Sequence, residues 1–536
     1  MMNKHPKKVK HAVAATLALS LAVPTASALA AEQSSAALEP VRETATKLGA
    51  EVSWEQSTRT ITVTKGSHVL KLEAGSDRAV LDGETVALNQ PVRLSGGRTL
   101  ADAGLIAKAL TGDNGQTEDA ADLFLEALQA GDGAKAAEYV SEASAYALPA
   151  ALLDRLWSNY EAMFGKTAGE PAKSESLNTV HRNVTYSFQS TIVPFQVTLR
   201  LDQNGKIDDL YIAAASASAY QKPAYDNPAA YSEREVTIGS GAMALPGTLT
   251  VPAGEGPFPA VVLVHGSGPH DRDATILGAK PFRDLAAGLA AKGIAVLRYD
   301  KVTYEHSFKV AADPKFTLKQ ESVDDALEAV KLLQNTSGID DSRIFVAGHS
   351  QGGYAMPLIS AAAPDGGIAG TILLSAPSGK FANVLAEQQA ELVRRVKQLG
   401  LDSTLYEQQA AMYTSIADMV NDPEYTVDHM PEQFPLQPAY WWFEQKNYVP
   451  AELAKTQTGP MLVLQGENDW QVTMKQFEGW ETALKNRGDV EFKSYPKVNH
   501  LLAEYDGLST GTEYGKPSNV SKAIIDDIAN WIHSVK

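Results

Sequence analysis

The chain has no cysteine in its 536 residues. That single absence excludes disulfide staples, zinc ribbons and thiol nucleophiles together. Staples are not needed at this length, because two to four domains of roughly ordinary size can each bury a core. Basic residues are in deficit: 47 Lys and Arg stand against 64 Asp and Glu, a formal charge of −17. Such a surface repels phosphates, so neither nucleic acid nor anionic lipid is an expected partner. Long apolar runs are missing too, since no segment reaches the roughly 18 continuous apolar residues of a spanning helix.

What is present at the start is a basic cluster, Lys4, Lys7, Lys8 and Lys10, followed by the apolar stretch Ala12 to Val23 and by Ala28-Leu29-Ala30. This is the order of a secretory signal peptide and its small-residue cleavage site, which places the leader at 1–30. The expectation is an exported protein, secreted or cell-wall associated, with no membrane span after cleavage. The lack of cysteine suits export from a Gram-positive-like bacterium.

Three regions follow by pattern. In the first, 38–111, Thr58 to Val63 and Val69 to Leu72 read as strands, bracketed by helices over Val41 to Leu48 and Leu100 to Leu110. Leu48-Gly49-Ala50-Glu51-Val52-Ser53-Trp54, Thr60-Ile61-Thr62-Val63 and Gly97-Arg98-Thr99-Leu100 resemble the copper-amine-oxidase-like N-terminal stalk domain of exported bacterial proteins. His68 is the region's lone histidine, so no metal site is expected, and the domain reads as a spacer or a cell-wall contact. Thr111 to Gln116 is a linker by composition. The second region, 117–215, has helices around Phe124 and over Leu152 to Tyr160. Strands Val184 to Phe188 and Phe195 to Leu199 follow, then a turn at Asn204-Gly205 into Ile207 to Ile212, giving a small α+β cone. It resembles the domain of unknown function that precedes many secreted hydrolases. Ala213 to Tyr231 reads as a second linker.

From 233 to 536 strands alternate with amphipathic helices, as in a parallel sheet covered on both faces. The strand Ile344-Phe345-Val346-Ala347 runs into Gly348-His349-Ser350-Gln351-Gly352-Gly353. A G-x-S-x-G between a buried strand and a helix is a nucleophile elbow, which exposes Ser350 at the apex of a tight turn. A serine hydroxyl needs a base, and the base needs an acid to hold its tautomer. Both follow in the order Ser, Asp, His. Leu462 to Leu464 leads to Gln465-Gly466-Glu467-Asn468-Asp469, and Lys493 to Pro496 leads to Asn499-His500. Asp469 is favoured over Glu467 because the acid normally lies past the strand end. Backbone N–H groups of Ser267, in His265-Gly266-Ser267-Gly268-Pro269, and of Gln351 are the expected oxyanion donors.

With Leu297-Arg298-Tyr299-Asp300-Lys301, these stretches resemble the α/β-hydrolase superfamily over roughly the last 300 residues. The similar branch is that of secreted serine esterases related to dienelactone hydrolases and serine aminopeptidases. The resemblance implies an acyl-enzyme, a small-molecule ester substrate, and no metal or cofactor. It also implies that an insertion at about 379–456 caps the nucleophile. There Tyr440 and Trp441 are candidates for the pocket wall, and Trp442 and Phe443 for the cap's own core. A peptidase is the enzymatic alternative, with Glu387, Glu391 or Glu444 as possible ammonium ligands. A non-catalytic wall-binding protein is the alternative from another class.

Overall fold

Ile344 to Ala347 have no exposed face, and their strand lies in the middle of an eight-stranded sheet. The computed structural model describes residues 38–66, 68–88, 91–95, 98–102, 106, 119–215 and 218–535. The leader, the first linker and most of the helix expected over Leu100 to Leu110 lie outside them. Numbering the sheet's strands in chain order gives β1 (Tyr231–Ile238), β2 (Leu245–Pro252), β3 (Phe258–Val264), β4 (Ala295–Tyr299), β5 (Ile339–His349), β6 (Gly370–Leu374), β7 (Met461–Gly466) and β8 (Val490–Tyr495). Their spatial order is β1-β2-β4-β3-β5-β6-β7-β8. The β1–β2 and β2–β4 pairs are antiparallel and the rest parallel. Helices α1 (Pro281–Ala290), α2 (Asp324–Gln334) and α3 (Gln351–Ala362) alternate with the strands. One core forms on each face, the first around Val262, Val346 and Trp480, the second around Leu263, Phe345 and Trp531. This is the doubly covered sheet that the continuous apolar strands require.

Between β6 and β7 the chain leaves the sheet as α4 (Phe381–Gln398), α5 (Thr404–Asn421), α6 (Ala439–Glu444) and α7 (Pro450–Ala454). The cap has a small core of its own, with Ile416, Val420, Phe434 and Phe443 buried in it. Trp441 instead joins the main core beside Phe381, ring centroids 5.4 Å apart.

In the first region a five-stranded antiparallel meander spans Glu51 to Ala87 and buries Ile61, Val63, Leu70 and Leu72. Residues 100–102, expected to be helical, are instead strand: Arg98–Asp102 pairs with Leu38–Pro40 on one side and Arg93–Ser95 on the other. Burial of Ala101 against the meander explains this, tertiary pairing overriding a weak local preference. In the second region helices Ala120–Ala130 and Ala150–Phe164 pack on a four-stranded antiparallel meander. Its first strand, Thr167–Leu177, has little apolar content and was not visible as a pattern.

The second linker is not a free tether. The Tyr220 hydroxyl donates to Asp284 at 2.6 Å, the Tyr225 hydroxyl donates to the Val520 carbonyl at 2.7 Å, and the sheet is under way by Tyr231. The middle region also docks directly on the segment after β4. Phe308 enters its core. Asp209 accepts from the Phe308 and Lys309 N–H groups, both at 3.1 Å. Glu305, with 1% of its side chain exposed, accepts from His181 at 2.7 Å and from Arg200 at 3.1 Å. The other His181 nitrogen meets Asp208 at 3.0 Å, and Lys309 also binds that carboxylate. Burial opposes charge on His181, but Asp208 and Glu305 outweigh it and raise its pKa. Glu305→Ala is expected to destabilise the fold by about 3–5 kcal/mol, because it strands the buried Arg200 guanidinium and leaves His181 with Asp208 alone. A urea midpoint close to wild type would show that water solvates both groups.

Candidate active site

The elbow is built by close approach. A Cβ on Gly348 would lie 2.4 Å from the Gly352 backbone, one on Gly352 would lie 2.3 Å from the Val264 carbonyl oxygen, and one on Gly353 would lie 2.5 Å from Ala376. All three positions therefore need glycine for space. The left-handed backbone falls on the serine itself, with φ 53° and ψ −116° at Ser350. A non-glycine residue in such a sparsely populated region costs of order 1–3 kcal/mol and persists only where its surroundings impose it. Here the Ser350 N–H donates to the Leu374 carbonyl at 2.9 Å.

Asp469 is buried in the turn after β7. One of its oxygens accepts from the Gln471 and Val472 N–H groups at 2.7 and 3.0 Å. The other lies 2.7 Å from His500 Nδ1. An ionised carboxylate only accepts, so Nδ1 carries the proton and Nε2 keeps its lone pair. Glu467, the alternative acid, accepts from Ser494 at the surface and is not joined to His500. Arg395 of cap helix α4 steadies the acid loop, donating to the Asn468 and Asp469 carbonyls at 2.8 and 2.9 Å. His349 Nε2 donates to the His500 carbonyl at 2.8 Å, which fixes the histidine loop to the residue preceding Ser350. Burial, above all, pushes the pKa of His349 down to about 3, so it stays neutral.

Ser267 lies on the loop leaving β3, opposite the elbow. A Cβ on neighbouring Gly266 would come 3.2 Å from Ser350 Cβ. Neither the Ser267 nor the Gln351 N–H donates to another group among the described residues. The structure thus joins Asp469 to His500, ties the His500 carbonyl to the residue preceding Ser350, and sets the Gly266 loop beside Ser350, while no hydrogen bond links His500 to Ser350 among the described residues. Trp441 is buried in the seam under the cap, and Tyr440 is half-buried on the same short helix. Of the cap acids, Glu391 is bound to Arg394 and Arg395, and Glu387 to Lys475 and Gln476.

Several residues at the site were not singled out from the sequence. His349 was read only as the variable position of the elbow, and Lys301 only as part of a resembling stretch. Glu321 gave no signal. Away from the site, a polar cleft of about 1040 Å³ opens where the three regions meet. None of the predicted site residues lines it. His181, Asp208 and His306 bring possible ligand atoms within 4.8 Å of one another. Lys309 already binds Asp208, and both His181 nitrogens face carboxylates, so this cluster is an ion-pair network. His68 lies 2.8 Å from Asp82 and belongs to no ligand cluster among the described residues.

Comparison with known proteins agrees with this architecture. Residues 256–505 match the family described as "Serine aminopeptidase, S33", and residues 24–120 match the copper amine oxidase N-terminal domain. Esterase EstD of Thermotoga maritima is 35% identical over 385 residues, covering 71% of this chain and 86% of that protein. Among solved structures, Est1E from Butyrivibrio proteoclasticus shares 17% identity over 56% of this chain and 97% of its own, with a TM-score of 0.36. The Pyrobaculum calidifontis esterase shares 20% over 57% and 87%, also with a TM-score of 0.36. The chain belongs to the esterase branch of the α/β-hydrolase superfamily, preceded by a copper-amine-oxidase-type N-terminal domain. It is a hydrolase of the carboxylic ester class.

Proposed function

We propose that this protein is an exported serine esterase that works through an acyl-enzyme. The observation that carries the reading is the buried Asp469–His500 pair, 2.7 Å apart, whose loop is tied to the residue before the strained Ser350. In the first half-reaction Ser350 Oγ attacks the ester carbonyl as its proton passes to His500 Nε2. Asp469 stabilises the imidazolium through Nδ1. The Ser267 and Gln351 N–H groups receive the developing oxyanion. Collapse of the tetrahedral species expels the alcohol, which takes the proton from Nε2. Water, deprotonated by the same nitrogen, then attacks the acyl-enzyme and releases the acid. Export is supported by the order of basic, apolar and small residues over 1–30, and a wall contact would fall to the N-terminal domain.

A fluorophosphonate probe should label Ser350 stoichiometrically. Failure to label would favour the non-catalytic wall-binding reading. Peptidase activity is less well supported, because Glu387 and Glu391 have basic partners where a substrate ammonium would need them free, and Glu444, the third candidate, is exposed on the cap. Turnover of an aminoacyl-nitroanilide at a rate near that of the matching ester would restore it.

If the insertion covers Ser350, the acyl pocket is finite, and short or medium acyl chains should be preferred. Each methylene that fits adds up to about 0.8 kcal/mol until the pocket is full. Trp441→Ala is expected to move the optimum towards longer acyl groups while changing acetate turnover less. A chain-length profile identical to wild type would assign Trp441 to packing alone.

A further inference from the structure

An oxyanion hole works only if its N–H groups already point at the place where charge develops. The Ser267 N–H and the Gly266 carbonyl belong to one peptide unit, which is planar and trans, so the direction of the carbonyl sets the opposite direction for the N–H. A Cβ at position 266 would be tight against Ser350 Cβ at 3.2 Å, and the glycine found there leaves that unit the least hindered to rotate. Something else must hold it. Lys301 Nζ donates to the Gly266 carbonyl at 2.8 Å, with only 2% of the lysine side chain exposed. His270 and Thr303 bind the next two carbonyls, those of Ser267 and Gly268, at 2.7 and 3.2 Å.

A buried ammonium needs a counter-charge, and Glu321 supplies it at 2.6 Å from Nζ. The same carboxylate reaches further. Its other oxygen accepts from the Gln351 side-chain amide at 2.9 Å and from the Trp441 indole N–H at 2.8 Å. Glu321 thus grips one oxyanion residue directly, the other through Lys301, and the cap through Trp441. It sits in a π-helical turn, Lys319–Val323, a distortion that recurs at functional sites.

We propose that Lys301 and Glu321 are positioning residues that preset both oxyanion donors and register the cap over them, an inference that rests on Ser267 and Gln351 being those donors. Neither side chain needs to touch substrate. Their effect should therefore be confined to the tetrahedral state, where the donors are used.

The test measures kcat and KM on p-nitrophenyl butyrate, and inhibition by an alkylboronic acid that forms a tetrahedral adduct on Ser350. Lys301→Met and Glu321→Gln should each lower kcat by about tenfold to a hundredfold and weaken the boronate by a similar factor, with KM within about twofold of wild type. The double variant Lys301→Met/Glu321→Gln, which removes both charges of the buried pair but keeps an acceptor for the Gln351 amide and the Trp441 indole, should recover Tm relative to Lys301→Met without recovering kcat or boronate affinity. Should Lys301→Met not fold, the isosteric Glu321→Gln carries the test alone. Boronate affinity close to wild type in the single variants would overturn the proposal, as would recovery of kcat together with Tm in the double variant. Wild-type protein that neither labels with fluorophosphonate nor binds the boronate would overturn the parent assignment instead.

Discussion

Ser350→Ala is expected to reduce kcat on p-nitrophenyl esters by more than a thousandfold and to abolish fluorophosphonate labelling. The substitution removes the only atom that can form the acyl-enzyme in this mechanism. What survives is the stabilisation that the oxyanion donors and the binding site offer to attack by water, and nucleophile deletions in serine hydrolases characteristically leave only that residue of rate. Stability should not fall with activity. Alanine tolerates the left-handed backbone at this position no worse than serine, and the local structure there is imposed by three glycine contacts and by the Ser350 N–H bond to Leu374. Activity retained above about a thousandth of wild type would move the nucleophile elsewhere in the chain.

Asp469→Asn should be nearly as damaging, with an expected loss of about ten-thousandfold in kcat and little change in Tm. The geometry says why so small a change matters. One carboxylate oxygen already accepts two backbone N–H groups, from Gln471 and Val472. An asparagine would keep its carbonyl oxygen there, which turns its NH2 towards His500 Nδ1. The imidazole must then place its proton on Nε2, where it can no longer accept the Ser350 proton. Glu467→Gln provides the control and should stay within about twofold of wild type, since Glu467 accepts from Ser494 at the surface. Comparable losses in the two variants would mean that the acid has been misassigned.

Much of this site could be read in the sequence because each part is anchored to a strand end. Ser350, Asp469 and His500 each follow a short apolar or alternating run, and the sheet fixes the order in which those ends meet. Ser267 could be found the same way, behind Val264. The elbow's glycines were legible as glycines, but their reason was not. They carry no positive φ: Gly348 makes room for the backbone of Gly352, while Gly352 and Gly353 avoid the Val264 carbonyl of β3 and the Ala376 side chain after β6, contacts made across the sheet. Glu321 was invisible for a similar cause. It lies on an amphipathic stretch where a charged residue normally faces water, and only the fold turns it inward to Lys301. The strand Arg98–Asp102 looked helical because pairing with Leu38–Pro40, far off in sequence, and with Arg93–Ser95 leaves no mark in its own local pattern. The second linker reads as one because Ala, Ser and Pro dominate it, yet two tyrosines strap it to the hydrolase.

The docking of the middle region bears on how this protein could be divided or recombined. Glu305 ends the short helix after Lys301, and the groups that pair with this segment, the Asp208 and Asp209 carboxylates, the His181 ring and the Arg200 guanidinium, all belong to the preceding region. The sheet, the elbow and the Asp469–His500 pair can be cut out of the chain as a contiguous piece, but their electrostatic environment cannot. A shuffled or trimmed version carrying only the catalytic sheet would expose Phe308 and leave Glu305 and Lys309 searching for counter-ions beside the lysine that steadies the oxyanion loop. The piece that has to be kept whole is therefore the hydrolase together with its neighbour.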